Sequence, residues 1–121
     1  MPDPRHALGS AAEAAAGRWL EACGWRIVGR RVRSKGGGEV DLGAVDPRDV
    51  LVAVEVRARR SARAGAAATT VDARRVGRLH RTLLATATAT RVRHSGLRID
   101  LVTVTPLDAG AWRLERLPGI G

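Results

Sequence analysis

The sequence predicts an α/β protein, a mixed central sheet flanked by two helices with an extra strand at the C-terminus. Three observations predict it. Two segments place apolar residues at helical spacing, five short Val- and Leu-rich segments carry strand signals, and the order along the chain is α, β, β, β, α, β, β. A length of 121 residues bounds the chain to one domain, residues 1–121, with a single core of modest size.

The first helix is expected from about Leu8 to Cys23, where Leu8, Ala12, Ala15, Ala16, Trp19 and Cys23 recur at helical spacing and Gly24 supplies a stop. Trp25 to Arg33 mixes β-branched and basic residues and reads as a strand. The run Ser34 to Gly38 is too permissive in backbone to continue it. Glu39 to Val45 and Val50 to Val56 flank the turn cluster Asp46, Pro47, Arg48, Asp49, which predicts an antiparallel hairpin. Its second strand is apolar on both faces and is therefore expected at the centre of the sheet. Arg57 to Thr70 reads as a loop, with a helix cap at Asp72. The second helix, Asp72 to Thr88, sets Val76, Leu79, Leu83 and Ala87 on one side and Arg74, Arg78 and Arg81 on the other. Strands at about Leu97 to Thr105 and Ala111 to Leu117, joined by the turn Pro106 to Gly110, close the chain.

Tyr and Phe are absent, so Ala, Val and Leu fill the interior beside Trp19, Trp25 and Trp112. Each small side chain removes little apolar area from water, which predicts modest stability. Twenty-one basic residues against twelve acidic ones give a net charge of +9, which favours a polyanionic partner such as nucleic acid. A membrane surface is disfavoured, because the Arg-rich stretches lack the apolar face of an interfacial helix. A preference for Arg accounts for Lys35 being the only lysine, but not for the excess of cations. Cys23 is alone, so no intrachain disulfide forms and a reducing cytoplasm is the expected setting. No stretch reads as a signal peptide or a membrane span, since Glu13, Arg18 and Glu21 interrupt the first apolar segment.

Three acids stand inside strongly apolar strands: Glu39, Asp41 and Glu55. Burying a carboxylate costs several kcal/mol unless a cation or hydrogen bonds compensate, so their placement calls for a reason. Strand parity puts Glu39 and Asp41 on one face and Glu55 and Arg57 on one face of the next strand. A hairpin in register would then converge all four at one end of the sheet. Carboxylates on neighbouring strands, completed by water, suit a hard divalent ion, Mg2+ or Mn2+, that activates water and neutralises phosphoryl charge. On the residues alone a buried ion network with Arg57 and the loop arginines stays equally open.

Asp41, thirteen intervening residues, then Glu55-Val56-Arg57 is similar to the PD-(D/E)xK nuclease pattern. Ala12-Glu13, Gly38 to Leu42 (GEVDL), Val52 to Arg59 (VAVEVRAR) and Arg98 to Val102 (RIDLV) together resemble the YraN-type bacterial family, related to archaeal Holliday-junction resolvases. The resemblance spans about Gly9 to Val104. It implies a restriction-endonuclease-like αβββαβ core, a Mg2+- or Mn2+-dependent endonuclease activity on DNA, branched DNA included, and a site in which Asp41 and Glu55 bind metal. Glu39 would be a nearby motif acid. Glu13 would be the helix-one acid that completes the site; a solvated helix glutamate is the competing reading. Related resolvases act as dimers, so a homodimer is allowed, although no self-complementary patch is legible. The sequence departs from the pattern at Arg57, where the motif has Lys. A guanidinium stays protonated, so any step needing a neutral amine is excluded and an electrostatic role remains.

Arg57, Arg59, Arg60 and Arg63 leave the end of the central strand beside the expected site and could fix a nucleic-acid backbone through its phosphates. The helical stripe of Arg74, Arg78 and Arg81 could do the same; a solvated charged face is the plain alternative for both. Asp100 is expected to be structural, paired with Arg98 or a loop arginine. His6, His80 and His94 have no ligand spacing, and Gly36 to Gly38 lacks the Lys-Ser/Thr ending of a phosphate-binding loop. Two function classes follow: a metal-dependent DNA endonuclease, or a nucleic-acid-binding module that keeps the fold and has lost turnover at Arg57. A protein-interaction domain with purely structural acids is the third.

Overall fold

The computed structural model describes residues 4–33, 38–59, 73–90 and 92–120. Its elements run α1 (Pro4–Ala22), β1 (Arg26–Arg33), β2 (Glu39–Val45), β3 (Val50–Ala58), α2 (Ala73–Thr90), β4 (Gly96–Pro106) and β5 (Trp112–Leu117), with a short 3-10 turn at Asp108–Gly110. The five strands lie in the order β1-β2-β3-β4-β5. All neighbours are antiparallel except β3 and β4, which are parallel and need α2 as the connection between them. The result is the α/β architecture with a mixed sheet, two helices and a C-terminal strand that the sequence predicts, consistent with a restriction-endonuclease-like fold. The expected cap at Asp72 and the loop arginines Arg60 and Arg63 lie outside the described residues, as does 34–37 of the glycine-rich run.

Local chemistry sets the element ends. Gly24, at φ 88°, follows α1 in the left-handed region that glycine enters without steric cost. The Trp25 N–H donates to the Leu20 carbonyl and the Gly24 N–H to that of Glu21, the paired bonds of a Schellman stop. Leu20 and Trp25 also meet in the core, the apolar contact that accompanies this stop. At the hairpin, Asp46 Oδ1 accepts the N–H groups of Arg48 and Val50 at 2.8 and 3.0 Å, which bends the chain from β2 into β3.

The sheet has a core on each face. Ala12, Ala15, Ala16 and Leu20 of α1 pack on Leu42, Ala44, Val52, Val54, Val102 and Val104. Leu79 and Leu83 of α2 pack on Val40, Val45, Leu51, Ala53 and Ile99, flanked by Val76 and Ala87 as the helical spacing predicts. Between both layers β3 is buried without a break from Leu51 to Glu55, in agreement with its expected central place. Cys23 departs from expectation: it falls beyond the end of α1 and is exposed, and Leu20 takes the buried position. No described helix is long and apolar enough to cross a membrane.

Gly38, the residue before β2, lies close against α2. A Cβ there would run into Thr82 Oγ1 and come within 3.2 Å of the Arg78 carbonyl oxygen. Gly38→Ala is therefore expected to cost about 1–3 kcal/mol by overpacking, read as an earlier urea midpoint at unchanged m-value.

Candidate active site

The β2–β3 ladder ends at Leu42–Val54, one residue short of Asp41 and Glu55. Beyond that point β2 loses its alternation. Val40 packs against α2 while Leu42, two residues on, packs against α1. Asp41, between them, turns its carboxylate to β3, and Oδ2 accepts the Val56 N–H at 2.8 Å. A side chain thus satisfies a backbone donor that a regular ladder would give to a carbonyl.

This splay opens a cavity of about 300 Å³ whose walls include Gly9 and Glu13 from α1, Asp41 from β2, Glu55 and Arg57 from β3 and Arg75 from α2. Four of the five residues expected at the site are therefore together. Glu39 is not among them, and the parity expectation that put it on one face with Asp41 is corrected by the slip at Val40. Its carboxylate instead meets Arg33 Nε at 3.3 Å and lines a neighbouring cavity with Gly38, Arg75, Arg78 and Leu79.

The acids of the cavity are answered unequally. Glu55, with a side chain 5% exposed, meets Arg75 Nη2 through Oε1 at 2.6 Å. Its other oxygen, Oε2, is buried and has no hydrogen-bond partner among the described residues. Glu13 Oε2 is held by Arg31 Nε at 3.2 Å, and Arg31 Nη2 also donates to Ser10 Oγ at 3.0 Å. Arg31 does this from φ 49°, a left-handed backbone that costs a non-glycine residue on the order of 1 kcal/mol. Of the two readings of Glu13, the inward one fits its place in the cavity wall, with the side chain still 24% exposed.

Asp41 has the perturbed titration. Burial, then the neighbouring charge of Glu55, push its carboxyl up to about 7, against the opposing pull of the Val56 N–H; Glu13 adds to the rise and Arg75 offsets part of it. The sign for stability follows. The folded chain holds this proton between pH 4 and 7 where the unfolded chain has lost it, so stability is expected to fall as pH rises through that window and to level off above it. The loss is on the order of 3 kcal/mol, and urea midpoints at pH 4, 5.5 and 7.5 measure it against Asp41→Asn, which should show no such slope from this site.

Arg75 is the residue that sequence reasoning missed. It stands one position before Val76 and four before Leu79, beside the buried stripe of α2, whereas Arg74 and Arg78 are exposed as expected. Its adjacency to the apolar positions was the available signal. Arg57 lines the cavity, and its Nε is buried without a hydrogen-bond partner among the described residues, which does not favour the alternative of an ion network built on Arg57. Arg59 leaves the strand with its N–H donated to the Val104 carbonyl at 2.8 Å.

Among the described residues no group of three or more His, Cys, Asp or Glu is arranged to enclose a metal ion. Asp41 and Glu55 supply two oxygen-bearing groups, the donor set that Mg2+ accepts when water fills the remaining positions. The unanswered Glu55 Oε2 fits such an ion.

A mixed five-stranded sheet with helices on both faces and a further strand at the C-terminus defines an α/β protein, consistent with a restriction-endonuclease-like fold. The chain belongs to the uncharacterised protein family UPF0102, whose model matches residues 12–104. This is the YraN-type resemblance seen in the sequence. Relatives of the same family include a protein of Beutenbergia cavernae, 42% identical over 118 residues and covering 97% of this chain and 98% of its own. One from Deinococcus radiodurans is 39% identical over 113 residues, covering 92% and 91%, and one from Anaeromyxobacter dehalogenans is 42% identical over 120 residues, covering 96% and 84%.

Proposed function

We propose that the protein is a divalent-metal-dependent endonuclease that binds DNA and hydrolyses phosphodiester bonds, those of branched DNA included. The observation that carries this reading is the meeting of Glu13, Asp41, Glu55 and Arg57 around one cavity in which a buried carboxylate oxygen has no partner among the described residues. The net charge of +9 supports a polyanionic substrate.

Asp41 and Glu55 would hold Mg2+ or Mn2+, which when bound supplies positive charge for the phosphoryl oxygens and acidifies water. Glu13 adds a third negative group from the α1 side and can orient water by accepting its hydrogen bond. Arg57 cannot serve as a base at ordinary pH; its fixed charge and forked donors suit the non-bridging oxygens of a phosphate. The exposed Arg74 and Arg78, with Arg59, Arg60 and Arg63, would steer and fix the DNA backbone without reading sequence.

One contact favours a second reading. Arg75 already answers Glu55 Oε1, which suits a DNA-binding module whose acids are held by guanidinium groups and which has lost turnover. Incubation with Mn2+ and linear, single-stranded and four-way DNA separates the two. The enzyme is expected to cut at least one substrate, and Glu55→Gln to slow cutting by about a hundredfold or more. If all substrates stay intact and Arg57→Lys does not awaken cleavage, the binding-module reading replaces it. Absence of DNA retention at low salt would remove both.

A further inference from the structure

The splay of β2 has a counterpart in β1. Their ladder pairs Arg30 with Leu42 and Val32 with Val40 but passes over the pair between them, Arg31 and Asp41. Both strands change face across that pair. Leu42 packs on the α1 side, where Arg30 Nη2 meets Glu21 Oε1 at 3.9 Å, whereas Val32 and Val40 pack on the α2 side. β2 passes the fault by turning Asp41 to the Val56 N–H, and β1 passes it with Arg31 at φ 49°. That left-handed turn delivers the Arg31 guanidinium to α1, with Nε on Glu13 Oε2 at 3.2 Å and Nη2 on Ser10 Oγ at 3.0 Å. Ser10 and Glu13 are three apart on α1 and so share a helix face. Asp41 and Glu13 both line the cavity, so one fault in the sheet seats two of its acids.

We infer that Arg31 is a positioning residue for the metal site, using its strained backbone to hold Glu13 at the cavity wall beside Asp41. The inference rests on the nuclease reading above and adds to it the group that fixes the α1 acid. Left alone, a partly exposed glutamate turns to solvent, where it is free to rotate and fully hydrated. Two donors of one rigid guanidinium, one on the acid and one on its neighbour a turn earlier, remove that freedom. Arg31 takes Oε2, which leaves Oε1 to accept a hydrogen bond from water in the cavity. An ion pair this open stabilises a fold little, since the Arg31 side chain is 48% exposed, while the left-handed backbone works against the fold. Strain kept for so weak a contact is accounted for by orientation of the acid, in the way that outer groups fix the ligands of a metal site.

Mn2+ affinity tests the role without any cleavage, read from the electron paramagnetic resonance of the free ion at about 0.15 M salt, where exposed charges are screened. Arg31→Lys keeps the charge and loses the two-armed hold, and is expected to weaken Mn2+ binding about tenfold. Glu13→Gln should weaken it by at least as much, and Arg31→Lys added to Glu13→Gln should weaken it no further. In EDTA the lysine variant should bind a short duplex DNA with the parent's salt slope, because the cation is retained. Arg31→Gly takes up φ 49° without strain and stands in if the lysine variant unfolds; it too should bind Mn2+ more weakly. A residue that merely braces the fold would shift the urea midpoint and leave the Mn2+ affinity of the folded protein alone. If the parent binds Mn2+ and Arg31→Lys binds it as tightly, or weakens it equally in the Glu13→Gln background, the positioning role is wrong while the nuclease reading stands. A parent that follows the expected Mn2+ pattern and cuts no DNA would keep the role and remove the nuclease reading. A parent that binds no Mn2+ overturns both.

Discussion

Asp100→Ala is expected to destabilise the protein by about 3–5 kcal/mol, a large part of the whole for a chain of this size. Asp100 is fully buried in β4 on the α1 side of the sheet. Arg98 reaches it with a fork, Nε to Oδ1 at 2.7 Å and Nη2 to Oδ2 at 3.0 Å. Arg116 of β5 adds a bond to Oδ2 at 2.9 Å, and the Gly119 N–H one to Oδ1 at 3.0 Å. Both guanidinium groups lie over the Trp25 ring, at 5.9 and 5.2 Å from its centroid. Hydrogen bonding to Asp100, ahead of the contribution from Asp46, raises the already high pKa of Arg98, so it cannot escape by losing a proton.

Deleting the acid would leave two cations crowded on one ring, with Asp46 as the remaining acid for Arg98. It would also cut one of the ties that hold the chain after β5 to the sheet, leaving the bond from the Ile120 N–H to the Ile99 carbonyl. Asp100→Asn keeps the shape and one acceptor oxygen and is expected to lose less. Urea unfolding at pH 7 measures both; a midpoint for the alanine variant close to the parent's would show that the two arginines find equivalent partners elsewhere. The network is structural, as expected from the sequence, although its second arginine comes from a strand and not from a loop.

Asp41→Asn is expected to act in opposite directions on stability and on chemistry. Burial and the charge of Glu55 disfavour the ionised Asp41 carboxylate, so a neutral amide of the same shape should make the protein more stable above pH 7. The same change removes an oxygen donor from the proposed metal pair and should reduce Mn2+-dependent cleavage by about a hundredfold or more while leaving DNA retention at low salt in place. Strain of this kind, kept where it harms the fold, is what a working site requires. The account also predicts that Mn2+ raises the Tm of the parent at pH 7.5 and that the asparagine variant loses this rise. A variant that is more stable and still cleaves would leave Asp41 without a metal role.

Most of the fold was legible because its signals are local. Gly24 marks the end of α1, the Asp46 cluster marks the hairpin, and the unbroken apolar run of β3 marks the sheet centre. The site was legible in its members more than in its geometry. Asp41 and Glu55 stood out as acids among Val and Leu, but the parity rule that gathered Glu39 with them assumes a regular strand. The slip between Val40 and Leu42 breaks that assumption, and it comes from packing against two different helices, which no local pattern encodes. Arg75 escaped notice for a related reason: a cation beside an apolar stripe reads as a solvated edge until a buried carboxylate is known to lie opposite it. Arg57, which the motif places at the acids, lines the cavity, yet the closest answer to Glu55 comes from α2, across the sheet.

The central claim is that Asp41 and Glu55 meet around a divalent cation. A crystal soaked in Mn2+ at pH 8, with data collected for the anomalous signal of manganese, tests it most directly. A peak between the two carboxylates, on the side of the unanswered Glu55 Oε2, is the predicted result. No peak, and the Arg75 guanidinium still closed on Glu55, would contradict it and leave the acids as one more ion network of the fold.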